Sequence, residues 1–156
     1  LKPVNKESFI EVDLNEIAND IATSEGGYEI QIETELQQPL KFANGSPIAI
    51  KRAVSNLVVN AIRYGNGWVK VSTGVTADNK LVWVCIEDNG PGIEQSQIGK
   101  LFEPFTRGDT ARGSEGTGLG LAIVKRIASQ HNGTVIINNR SGGGLRAQIS
   151  FPTVGK

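Results

Sequence analysis

Methionine is absent from these 156 residues and cysteine occurs once. A single thiol excludes an internal disulfide framework and a cysteine-based metal cluster. Cys85 sits inside Leu81-Val82-Trp83-Val84-Cys85-Ile86, so it is expected as a buried small hydrophobe rather than a nucleophile. Net charge is missing too, since 16 Lys and Arg offset 16 Asp and Glu. No overall field therefore favours nucleic acid or an anionic membrane. No apolar run approaches the roughly 20 residues that cross a bilayer, and nothing resembles a signal peptide. Internal repeats and low-complexity tracts are also lacking. With Leu1 first and no Met, the chain reads as a piece of a longer protein. Residues 1–8 are expected to be a linker remnant, and 1–156 a single domain with one substantial core.

What is present is clear helix and strand periodicity. Phe9 to Asp13 reads as a short strand, and Leu14, Ile17, Ala18 and Ile21 then recur at helical spacing until Gly26-Gly27. Tyr28, Ile30, Ile32 and Thr34 alternate with polar residues, as in a strand wet on one face. Leu40 to Ala43 is a shorter strand candidate. Ser46 and Pro47 suit the N-cap and first position of a helix. Its apolar stripe is Ile50, Val54, Leu57, Val58 and Ala61, with Gly65 and Gly67 at its end. Trp68 to Thr76 and Lys80 to Asp88 read as strands joined by a turn, the second apolar enough to lie centrally in a sheet. Glu94 to Gly99 suggests a short helix and Leu101 to Phe105 an apolar knot, while Thr106 to Glu115 reads as a mobile loop. A helix then runs to about Gln130, with Gly133 as its stop. Thr134 to Asn139 and Leu145 to Phe151 form a hairpin, turning at Gly142-Gly143-Gly144. In its second strand Leu145, Ala147, Ile149 and Phe151 face in, and Arg146, Gln148 and Ser150 face out. The expected architecture is an α/β two-layer sandwich, a mixed sheet with helices packed on one face.

Three stretches carry chemistry. In Gly116-Thr117-Gly118-Leu119-Gly120-Leu121, Thr117 suits an N-cap, and the glycines leave first-turn amides bare for an anion such as phosphate. The same pattern also fits a turn that only packs closely. Asn56, Asn60 and Tyr64 follow each other at intervals of four, so they share one helix side, with Arg63 beside them. An Asn carbonyl oxygen is a hard ligand suited to a Mg²⁺ that also binds phosphate, although a solvated face is the plainer reading. Asp88 ends an apolar strand before Asn89-Gly90-Pro91-Gly92. Its carboxylate can accept from an exocyclic amine such as that of adenine, or simply belong to a turn.

Taken together, these stretches resemble sensor histidine kinases. Lys51 to Tyr64 resembles the N box, Asp88 to Gly92 the first glycine box, Leu101 to Phe105 the F box, and Gly116 to Leu121 the second glycine box. Arg63 to Trp68 and Phe105 to Asp109 are similar to osmosensing members of that family. The resemblance implies an ATP-binding catalytic domain with a flexible ATP lid over Thr106 to Glu115. Asn60 would hold Mg²⁺ with help from Asn56, and Asn56, Asn60 and Arg63 would form the catalytic set. Asp88 would take the adenine amine, with Gly90, Gly92 and Ile93 shaping the pocket. Arg63 and Tyr64 would border phosphates and base, Phe105 would anchor the lid that carries Arg107, and Gly116, Thr117, Gly118, Leu119, Gly120 and Leu121 would serve the nucleotide. Implied partners are a histidine phosphoacceptor and dimerisation domain, absent here, and an OmpR-like response regulator downstream. The resemblance also implies a cytoplasmic portion of an inner-membrane, homodimeric kinase.

The only histidine, His131, is followed by Asn132-Gly133 at a helix end, where it suits contact with the last carbonyls rather than phosphate acceptance. The same fold resembles heat-shock chaperone, type II topoisomerase and MutL ATPases, as well as anti-sigma serine kinases. Those place a glutamate four residues before the Mg²⁺-binding Asn to activate water. Asn56 stands there and cannot act as a base. An ATPase of that group, or a nucleotide sensor without chemistry, is the alternative function.

Overall fold

A computed structural model describes residues 8–27, 29–98 and 117–154, with the backbone alone at Gln95 and 117–120. Strand β1 (Ile10–Val12) leads into helix α1 (Leu14–Glu25). Asp13 caps that helix, its Oδ1 accepting from Asn15 N at 2.9 Å. Strands β2 (Gln31–Glu35) and β3 (Ala43–Gly45) precede helix α2 (Pro47–Tyr64), then β4 (Trp68–Val75) and β5 (Leu81–Asp88). A single turn, α3 (Gln95–Ile98), helix α4 (Thr117–Gln130), β6 (Thr134–Asn139) and β7 (Leu145–Pro152) complete the order.

The five-stranded sheet runs β2-β4-β5-β7-β6, with β2 parallel to β4 and the other pairs antiparallel. The apolar strand β5 lies at its centre, as its composition requires. Helices α1, α2 and α4 cover one face, and the core runs through Ile17, Val54, Val58, Val124, Ile127, Val84, Ile86 and Ile149. On the other face the Trp83 ring lies across Gly74, where any Cβ would strike it.

One strand boundary and one facing residue differ from expectation. The short strand after β2 is 43–45 rather than 40–43, because its partner is β1, in a separate two-stranded sheet with Ile10 opposite Gly45. Phe42 is left 43% exposed. Helix α4 ends at Gln130 as expected, with Asn132 left-handed (φ 59) and Gly133 N bonded to Ala128 O at 2.8 Å. Gly133 follows because its Cα packs on the Ser150 carbonyl. Ser150 itself is buried at 5% exposure, although alternation placed it outside, and it lies opposite Trp83 and Thr134 in the central part of the sheet. Tyr28 lies outside the described residues.

His131 is a packing hub. It is 1% exposed, stacks on Phe9 with centroids 4.6 Å apart, and meets Phe151 edge-on at 5.4 Å. Its Nδ1 lies 2.8 Å from Ile127 O, and its Nε2 accepts from Ser46 N at 3.1 Å. The donor at Ser46 and the acceptor at Ile127 fix one neutral tautomer, with the proton on Nδ1. Helix α4 is thereby fastened at its C-terminus to the N-cap of α2.

Candidate functional site

Helix α2 is entered through Ser46, whose Oγ accepts from Ala49 N at 3.2 Å, and closed at Gly65, whose N donates to Ala61 O at 2.8 Å. Between these caps the helix turns Leu57, Asn60, Ala61 and Tyr64 toward α4 and β5 at spacings of three and four. These four residues wall a cavity of about 460 Å³ together with Ile86, Asp88, Pro91, Gly92, Ile93, Leu121, Ile137, Leu145 and Ala147. That volume is in the range of small-molecule pockets. The walls are largely apolar, and the polar groups in them are few and separately held.

Asp88 ends β5 at 4% exposure. Its Oδ1 accepts from Gly90 N at 2.9 Å and Leu145 N at 3.2 Å. Both bonds fall on one oxygen, so the other carboxylate oxygen is left to the cavity. Gly90 lies behind the carboxylate rather than in the wall, its Cα pressed on the Tyr64 carbonyl. Asn89 fixes the same turn from the other side, its Oδ1 accepting from Asn66 N at 3.0 Å.

Asn60 lines the same cavity from helix α2. Its amide nitrogen is buried and has no hydrogen-bond partner among the described residues. A buried amide atom without a partner is costly, and turning the group end for end presents Oδ1 instead. Among the described residues no group of three or more His, Cys, Asp or Glu is placed to hold a metal ion. A cation here would take one amide oxygen from the protein and fill its shell with water and ligand oxygens. That donor set fits Mg²⁺, which keeps several waters and relies on substrate phosphates.

The structure thus brings Asn60, Tyr64, Asp88, Gly92, Ile93 and Leu121 around one space. Asn56, half-buried one turn before Asn60, and the exposed Arg63 are not in the cavity wall. Thr117, Gly118, Leu119 and Gly120 form the first turn of α4. Phe105, Arg107 and Gly116 lie outside the described residues, as do the apolar knot and the expected lid. Cys85 is 1% exposed on β5, and burial pushes its thiol up, in keeping with a packing role.

Residue reading missed two groups. Leu57, Ala61, Ile86, Ile137, Leu145 and Ala147 wall the cavity, but as inward apolar residues they carry no mark distinguishing them from core. The β6–β7 hairpin is the second. Arg140 Nη1 donates to Asp88 O and Gly143 O, at 3.1 Å each, and its guanidinium sits 4.9 Å over the Trp68 ring. Trp68 in turn donates from Nε1 to Glu33 Oε2 at 2.9 Å. Gly144, at φ 98, has its Cα against the Asp88 carbonyl oxygen. The triple glycine is therefore a hairpin turn, as read, but one that rests on the residue beside the cavity.

Residues 45–155 match the family model described as histidine kinase-, DNA gyrase B- and HSP90-like ATPase. The chain is 40% identical over 110 residues to the sensor histidine kinase CpxA of Escherichia coli K12, covering 69% of this chain and 24% of that protein. Sensor histidine kinase GtrS of Pseudomonas aeruginosa is 34% identical over 152 residues, covering 96% of this chain and 30% of that one. The chain thus spans a quarter to a third of these relatives' length. Among solved structures, the histidine kinase domain of the E. coli osmosensor EnvZ is 43% identical, with a TM-score of 0.72 over 100% of this chain and 92% of that one.

Proposed function

Given that this chain belongs to the histidine kinase branch of the histidine kinase-, DNA gyrase B- and HSP90-like ATPase family, we propose that it binds Mg-ATP and donates the γ-phosphoryl group to a histidine on a separate domain. The observation that carries the reading is that the Asp88 carboxylate and the unpartnered Asn60 amide line one largely apolar cavity. The uncommitted oxygen of Asp88 accepts from the adenine amine, while Ile86, Ile93 and Leu145 exclude water from the ring. Asn60 supplies an amide oxygen to Mg²⁺, which when bound neutralises phosphate charge. The first turn of α4 offers its unpaired amides to the phosphates, and Tyr64 in the wall, with Arg63 next to it in the chain, borders phosphates and base. Asn56 supports Asn60 from one turn away. Phosphoryl transfer asks chiefly for positioning and charge neutralisation, so a site with no covalent participant suffices.

The acceptor comes from elsewhere. His131 is buried, both its ring nitrogens are engaged, and it follows a 14-residue helix whose N-terminus faces the phosphates. That helix length separates the two by roughly 20 Å, too far for in-line attack. The proposed setting is the cytoplasmic part of a homodimeric two-component sensor, with its own helical phosphoacceptor domain and an OmpR-like response regulator as partners. No described helix is long and apolar enough to cross a membrane.

The test supplies γ-labelled ATP and Mg²⁺ with and without the helical phosphoacceptor domain of an osmosensing kinase. Acid-labile label is expected on that partner only, and Asn60→Ala should abolish it in a variant that still melts cooperatively. Label on His131, or rapid turnover without a partner, would instead assign the chain to another branch of the family.

A further inference from the structure

Asn139, the last residue of β6, is exposed and takes no part in the core. Its side chain makes two hydrogen bonds to a single residue 46 positions away. Asn139 Oδ1 accepts from Ile93 N at 2.9 Å, and Asn139 Nδ2 donates to Ile93 O at 2.7 Å. A backbone N–H and C=O present one donor and one acceptor, so only this amide orientation satisfies both. Ile93 lines the cavity beside Gly92, and Asp88 lies five residues before it. The intervening Asn89-Gly90-Pro91-Gly92 contains two glycines and has no regular structure; the bonds of Asn89 and Gly90 hold its first half, which leaves the Pro91-Gly92 half and Ile93 to be fixed from elsewhere.

We propose that Asn139 is a positioning residue for the nucleotide base: it pins Ile93 to the β6–β7 hairpin and so fixes the pocket floor relative to the Asp88 carboxylate. The same hairpin holds the other end of the segment, through Arg140 to Asp88 O and Leu145 N to Asp88 Oδ1. One strand-turn-strand unit thus grips residues 88 and 93 together, ordering the loop before a ligand arrives, which is how preorganisation raises affinity. Asn139 itself is not in the cavity wall and acts only through Ile93. The inference rests on the reading that adenine lies between Asp88 and Ile93.

The test compares the parent chain with Asn139→Ala and Asn139→Asp, using calorimetry with ADP without Mg²⁺ and amide hydrogen exchange at Ile93. Asn139→Ala should weaken ADP binding about tenfold and speed Ile93 exchange, with β5 amides such as Val84 unchanged. Asn139→Asp still accepts from Ile93 N but sets a carboxylate oxygen against Ile93 O, so it should weaken binding at least as much as Asn139→Ala. Because the side chain is exposed, melting temperatures should barely move, and the Asp variant carries the test if the Ala variant melts early. ADP affinity within twofold of the parent in both variants would overturn the role of Asn139 and leave the nucleotide reading standing. A loss seen only with Mg²⁺ present would overturn it too, since that would place the effect at the phosphates. A parent chain that binds no adenine nucleotide would overturn the nucleotide reading itself, and the positioning role with it.

Discussion

Replacing Asp88 with Asn removes one charge and exchanges one oxygen for an NH₂, and the structure dictates which way the new amide sits. Two backbone donors, Gly90 N and Leu145 N, converge on Oδ1. An amide nitrogen turned toward them would leave three buried donors without acceptors, at about 1–3 kcal/mol for each unsatisfied group. The Asn oxygen therefore keeps the Oδ1 position and the NH₂ faces the cavity. In the proposed pose it would meet the adenine amine there, donor against donor, and a hydrogen bond to a charged acceptor worth about 1.5–3 kcal/mol would be lost. ADP affinity should fall by a factor of about 10 to 150. The retained oxygen preserves the turn, so thermal melting should change little. A 6-oxo purine offers an acceptor at the same position, so the preference for ADP over IDP should narrow or invert. Titration calorimetry with both nucleotides, alongside a melting curve, reads all three quantities. ADP affinity within twofold of the parent, in a variant that melts normally, would refute the assignment of Asp88 to the base.

Gly142 and Gly144 share a φ of 98, but a Cβ on Gly142 meets nothing within 4 Å whereas one on Gly144 falls on the Asp88 carbonyl. Gly142→Ala should therefore cost about 1 kcal/mol of left-handed strain and leave ADP binding intact, while Gly144→Ala should lower both melting temperature and affinity; equal effects would refute the contrast. His131→Ala removes a buried ring from between Phe9 and Phe151 and leaves Ser46 N without its acceptor. A loss of about 3 kcal/mol, or roughly 6–12 °C in melting temperature, is expected by calorimetry, with ADP affinity retained in the cold because His131 lies outside the cavity wall. The Cys85 thiol, buried and pushed up, should resist thiol reagents at pH 8 in the folded chain and react as one equivalent in denaturant; rapid reaction in the native state would contradict its burial.

The order of helices and strands, the central place of β5 and the caps of α2 were all legible, because each follows from local periodicity and short-range chemistry. Ser46 and Pro47 mark a helix start wherever they occur before an apolar stripe. Asn60 and Asp88 stood out because a polar side chain at the edge of an apolar run invites a question. The separate β1–β3 sheet was not legible, since a three-residue strand is defined by its partner rather than by its own pattern. Ser150 misled for a similar reason: alternation assigns it outward, and only its place in the sheet interior buries it. Nor does Asn139 advertise itself. Its relation to Ile93 exists only once β7 has paired with both β5 and β6, and no window on the sequence contains all three. Asn56 shares the helix side of Asn60 by spacing, yet Asn60 alone reaches the cavity wall, because α2 presents Leu57, Asn60, Ala61 and Tyr64 there.

The stacking of Arg140 on Trp68 also gives the molecule an optical property. Only two indoles are present, Trp68 and Trp83, and they occupy unlike places. Trp83 lies across Gly74 on the sheet face away from the helices. Trp68 carries the guanidinium that reaches the Asp88 carbonyl. Excited-state emission from an indole responds to a charge held over its ring, so Trp68 senses movement of the hairpin while Trp83 supplies a steady background. In a Trp83→Phe variant, emission that stays constant as nucleotide is added would report a hairpin already in place, and a shift would report Arg140 leaving the ring, a signal that needs no attached dye.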